Sequence, residues 1–88
     1  MIATERQALR EQLLVELYDY HFANKGEPKN VLREVKEDDE RFLAYKYLDD
    51  KGLIRFQVEI AGMERRIYEA YVSIQSYGID TVENNRTK

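Results

Sequence analysis

Apolar residues recur at helical spacing through the first quarter of the chain. Between about Thr4 and Lys25 they form two adjacent rows with four-residue spacing, which predicts a helix with one broad buried stripe. Thr4 and Gln7 have the spacing of a capping box, and Gly26 stands where such a helix would end. The two rows consist of Leu9, Leu13 and Leu17, and of Leu14, Tyr18 and Phe22.

Two shorter helices are predicted next. Pro28 is tolerated in a first helical turn, so we expect a helix from Lys29 to Lys36. Asp38 or Asp39 is then suited to cap a third helix that runs to about Asp50. The inward positions expected for the second helix are Val31, Leu32 and Val35.

The spacing of apolar residues then changes from the helical period of about 3.6 residues to a period of two, which predicts half-buried strands. Residues 54–60 and residues 68–74 both alternate in this way, and the turn residues between them predict a β-hairpin. Arg65 and Arg66 lie at its tip. The inward rows are predicted to be Ile54, Phe56, Val58 and Ile60, and Tyr68, Ala70, Val72 and Ile74.

Length and composition indicate a soluble globular protein. The 88 residues suffice for a single domain, with its core at about residues 4–84 and a polar tail at 83–88 that is expected to fray. No segment approaches the roughly 18 consecutive apolar residues of a membrane helix. We therefore expect a cytoplasmic protein without membrane contact. With no cysteine and one histidine, disulfides and zinc sites built from Cys and His are excluded.

The net charge of −3 lacks the basic signature of a dedicated nucleic-acid binder. Residues 37–40 alone carry four negative charges, so the rest of the chain amounts to +1. Whether the chain binds nucleic acid therefore depends on where this acidic quartet points.

Two junctions in the chain share a pattern of leucine or isoleucine, glycine and a further apolar residue. Leu48 anchors the end of the third helix, Gly52 allows a positive φ that turns the chain, and Ile54 begins the first hairpin strand. The second junction leads from the hairpin into a predicted last helix that starts near Gln75. It comprises Ile74, Gly78, Ile79 and Val82.

In this order the elements resemble the winged helix-turn-helix family over roughly residues 4 to 84. The resemblance implies an α+β fold, in which a three-helix bundle is followed by a β-hairpin wing and a short C-terminal helix. It also implies a small transcriptional regulator that binds double-stranded DNA with its third helix and its wing. The candidate DNA contacts are Lys36, Arg41, Lys46, Arg65 and Arg66.

A protein-interaction module is the alternative interpretation. Four consecutive acids at the start of the third helix would repel phosphate, and apolar residues surround nearly the whole of that helix. A homodimer or another protein partner would cover such a surface. The candidate interface residues are Phe42, Leu43 and Tyr47.

Catalysis, metal binding and cofactor binding are not expected. The acidic run lacks the alternating ligands of a calcium loop, and Leu43 occupies the position of its glycine when Asp38 is the first ligand. His21 has no nucleophile at a fixed spacing, and neither Ser73 nor Ser76 lies in a nucleophile motif. We predict that the protein is not an enzyme.

Overall fold

The computed structural model describes residues 1–86 and has an α+β fold, as predicted. Within those residues, four helices accompany one antiparallel sheet of three strands in the order β1-β3-β2. The elements are α1 (Ala3–Ala23), β1 (Lys29–Asn30), α2 (Leu32–Glu37), α3 (Asp39–Asp50), β2 (Ile54–Ala61), β3 (Arg66–Ile74) and α4 (Ser76–Arg86).

The first strand, β1, was not predicted. Lys29 and Asn30 pair with Val72 and Tyr71 of β3, so the predicted helix from Lys29 to Lys36 is wrong at its start. The edge of β3 offers main-chain N–H and C=O groups for hydrogen bonding, and these groups would stay unpaired if residues 29 and 30 were helical. The side chain of Asn30 then accepts a hydrogen bond from the Leu32 N–H at 3.0 Å, and α2 begins there.

Helix α1 differs from its prediction at both ends. The capping box of Thr4 and Gln7 is wrong, because Thr4 lies inside the first turn and Ile2 precedes the helix. At the other end Phe22 is 58% exposed, and its ring lies against the rings of Tyr18 and His21 on the same helix. Three leucines of the stripe, Leu13, Leu14 and Leu17, are buried as predicted.

The hairpin is present, but a β-bulge changes which side chains face inward. Glu59 pairs with Glu69, whereas the next residue, Ile60, pairs with Ile67, so Tyr68 is an extra residue in β3. Beyond the bulge Ile67 is half-buried and Tyr68 is 51% exposed. The predicted inward position of Tyr68 is therefore wrong.

The helices bury their apolar side chains against one face of the sheet. Tyr45 of α3 is the largest fully buried side chain. The core comprises Leu13, Leu14, Leu17, Val31, Val35, Ala44, Tyr45, Leu48, Ile54, Ala70, Val72, Ile74 and Val82.

Helix α4 crosses the α3–β2 turn at close range. A Cβ on Gly78 would lie 2.8 Å from Cγ1 of Ile74 and closer still to the carbonyl oxygen of Leu53. Glycine is therefore needed at this crossing. The helix extends to Arg86, so residues 83–86 of the predicted polar tail are helical, and residues 87–88 lie outside the described part of the chain.

The outer edge of β2 is closed at one point by a side chain from α3. Asp49 Oδ1 accepts the main-chain N–H of Phe56 at 3.1 Å. This bond ties the last turn of α3 to the sheet and fixes the base of the hairpin beside that helix.

Candidate nucleic-acid interface

The start of α3 is defined by its aspartate cap. Asp38 Oδ1 accepts the N–H groups of Glu40 and Arg41 at 2.9 and 3.3 Å, which confirms Asp38 as the cap. Asp39 is exposed and has no ion pair with any residue that the structure describes. Of the two aspartates, only Asp39 therefore presents an uncompensated charge to solvent.

The two glutamates of the acidic quartet are paired with arginines. Glu37 lies 3.3 Å from Nε of Arg33, and Glu40 lies 2.9 Å from Nη2 of Arg6 on α1. The hydrogen bond from Arg6 lowers the pKa of the Glu40 carboxyl. The quartet therefore repels phosphate less than its sequence suggests.

Arg41 is half-buried and bound by carboxylates at the start of α3. Its Nη1 donates to Glu34 Oε2 at 3.2 Å, and its Nε lies 3.7 Å from Asp38 Oδ2. Glu34 also accepts the hydroxyl of Tyr45 at 2.9 Å and lies 3.7 Å from Nζ of Lys29. Burial first, and the bond to Glu34 second, raise the pKa of the Tyr45 hydroxyl. This network connects β1, α2 and α3, and it leaves Arg41 poorly placed to contact a ligand.

Three of the predicted DNA contacts lie around a single shallow depression. Lys36 of α2 lies on one side, and Arg65 and Arg66 of the hairpin tip lie on the other. We call these three residues the hairpin-tip cluster. Asp39 and Glu64 also line the depression, and Glu64 pairs with Arg66 at 2.8 Å. Lys36 and Arg65 are exposed and have no ion pair within residues 1–86.

The outer face of α3 carries few groups that could read bases. Its exposed residues include Asp39, Leu43, Lys46 and Asp50, with a net charge of −1. Lys46 is the one cation among them and has no ion pair within the described chain. Any phosphate contact of this face would therefore rest on Lys46.

The three predicted interface residues do not share one surface. Phe42 is half-buried, and its ring packs edge-on against Phe56 at 5.6 Å between centroids. Leu43 is 56% exposed and Tyr47 is 41% exposed, one turn apart on α3. The guanidinium carbon of Arg10 lies 4.1 Å from the Tyr47 ring centroid. Leu43 and Tyr47 remain accessible, whereas Phe42 belongs to the edge of the core.

Two further features were searched for in the described part of the chain. In residues 1–86 no three His, Asp or Glu side chains are grouped so that they could hold a metal ion. No helix there has the length and apolar character to cross a membrane. Comparison with models of known protein families, with curated proteins and with solved structures finds no match to this chain.

Proposed function

We propose that this chain is a winged-helix protein that binds double-stranded DNA and acts as a small cytoplasmic transcriptional regulator. The order of the elements supports the fold, because a hairpin follows the third helix and β1 completes the sheet beside β3. The observation that carries the function is the hairpin-tip cluster, in which Lys36, Arg65 and Arg66 lie around one depression.

Binding rests mainly on the phosphate backbone in this proposal. Among residues 1–86, Lys36 and Arg65 have no competing ion pair, and the ion pair of Arg66 is with the exposed Glu64. Phosphate contacts position a protein on the duplex, whereas groups on α3 would have to read the bases. Because the outer face of α3 offers only Lys46 as a cation, we expect modest sequence preference.

Salt dependence of binding to a labelled random-sequence duplex tests the proposal. Three phosphate contacts predict a slope of log K against log salt of about −2.7. Affinity should then fall about 40-fold between about 50 and 200 mM salt. The double variant Arg65→Gln/Arg66→Gln should retain a slope of about −0.9.

A matched double variant separates local contacts from net charge. Lys51→Gln/Arg55→Gln makes the same charge change at the opposite end of the hairpin, and it should keep the steep slope of the unmodified protein. Absence of binding at about 50 mM salt would reject DNA binding. Equal slopes for the two double variants would reject the hairpin-tip cluster as the contact.

Self-association through α3 is a second candidate function, and exposed Leu43 favours it. Leu43 is 56% exposed and lies one turn from Tyr47, which is 41% exposed, so the two form an apolar patch that a second copy would cover. Sedimentation should then show a dimer that Leu43→Ser converts to a monomer, while Tyr68→Ser at the exposed bulge leaves it intact. A monomer at every concentration would exclude this function.

A further inference from the structure

A second depression lies between α1, α3 and α4, and it shares no residue with the hairpin-tip cluster. Its volume of about 700 Å³ falls in the range of small-molecule sites. Apolar side chains from all three helices and from the α3–β2 turn form its floor. These are Leu14, Leu48, Leu53 and Val82.

Arg10 stands at the mouth of this cleft without a counter-ion. It is half-buried, and it forms no ion pair with a carboxylate of residues 1–86. Other partly buried cations do have partners, such as Arg41 with Glu34 and Lys29 with the same carboxylate. A partly desolvated guanidinium gains most from a charged acceptor that reaches it in the bidentate geometry of a carboxylate.

The ring of Tyr47 fixes where that guanidinium lies. The 4.1 Å separation between the Arg10 guanidinium carbon and the Tyr47 centroid is a close cation–π contact. Within residues 1–86 the Arg10 guanidinium has no hydrogen-bond acceptor, so its N–H groups are available to a ligand. This contact favours a position of Arg10 at the cleft before any ligand arrives, which lowers part of the entropy cost of binding.

The rest of the rim is compatible with one bound anion. Arg86 lies on the rim as a second cation, and it is paired with Asp19 at 3.3 Å. Glu11 is the carboxylate that lines the cleft, and it is exposed. Gln7, Thr81 and Asn85 complete the rim with neutral polar groups.

We propose that this cleft binds a small amphipathic carboxylate, with the carboxylate on Arg10 and the apolar chain on the floor formed by Leu14, Leu48 and Val82. Decanoate, kept below its micellar concentration, is a suitable probe because it combines these two features. Decanol supplies the same chain without the charge.

Titration calorimetry with the full chain tests the site. Decanoate should bind saturably with one site per chain, and decanol should bind at least about tenfold more weakly. Arg10→Gln should weaken decanoate binding by about tenfold or more, while Arg55→Gln on the exposed face of β2 should not. Circular dichroism verifies that both variants are folded.

Three results would overturn the proposal. The first is no saturable binding of decanoate to the unmodified protein at millimolar concentration. The second is that the unmodified protein binds decanoate and decanol with equal affinity, or that the Arg10→Gln variant binds decanoate as tightly as the unmodified protein does. The third is a dimer that Val15→Glu on the cleft wall dissociates, because a second copy of the chain would then occupy the cleft.

Discussion

The hydrogen bond from Tyr45 to Glu34 connects α3 to α2, and removing it tests how much this contact stabilises the fold. Tyr45 is fully buried, and its hydroxyl donates to the carboxylate at 2.9 Å. Tyr45→Phe removes this donor and keeps the ring in the core. Glu34 retains Arg41 and Lys29 and has a side chain that is 31% exposed, so water can replace part of the lost bond. We therefore expect a loss of about 1 to 1.5 kcal/mol in the free energy of unfolding.

Thermal unfolding followed by circular dichroism measures this loss. For a chain of this size it corresponds to a decrease in Tm of about 4 to 12 °C. Tyr71→Phe is the matched control, since Tyr71 is 38% exposed on the sheet and its hydroxyl has no hydrogen-bond partner within residues 1–86. If the two variants melted at the same temperature, the Tyr45 hydroxyl would contribute nothing and the reasoning would be refuted.

Three further predictions concern the fold. The pKa of Tyr45 is raised in the folded state, so the unfolded chain loses this proton at lower pH than the folded chain does. The free energy of unfolding should therefore fall above about pH 10, by about 1.4 kcal/mol per pH unit. Urea titrations should show a shallower fall for Tyr45→Phe than for Tyr71→Phe. Gly78→Ala should cost about 1 to 3 kcal/mol, because its Cβ meets the Leu53 carbonyl, and an unchanged Tm would contradict this close crossing. Asp38→Ala should cost about 1 kcal/mol in chemical denaturation, and Asp38→Asn should recover most of it; equal losses would show that the cap contributes no hydrogen bond.

Local patterns predicted the parts of the fold that depend on local interactions. Asp38 can cap α3 whatever the rest of the chain does, and the period-two rows suffice to predict a hairpin. Strand β1 depends instead on the open edge of β3, about forty residues later in the chain. Similarly, Ile67 is half-buried because of a β-bulge, and no residue in the sequence indicates that bulge.

The candidate site was predicted less well, because charge pairing between elements is not visible in a sequence. Helical spacing predicts that Arg41 is an exposed cation, yet in the structure Glu34 from the preceding helix forms an ion pair with it. The acidic quartet looks repulsive until Arg6 pairs with Glu40 across 34 positions in the chain. Lys36 could be grouped with the hairpin arginines only after the hairpin had been placed beside α2.

The hydrogen bond that the Phe56 N–H donates to Asp49 also bears on fibril growth. An open strand edge is a template on which further chains can add. At Phe56 the N–H is already occupied, and an incoming strand would meet a carboxylate in place of a donor. Addition to β2 is therefore blocked at the base of the hairpin and has to begin nearer its tip. A helix side chain thus contributes to the colloidal stability of this sheet.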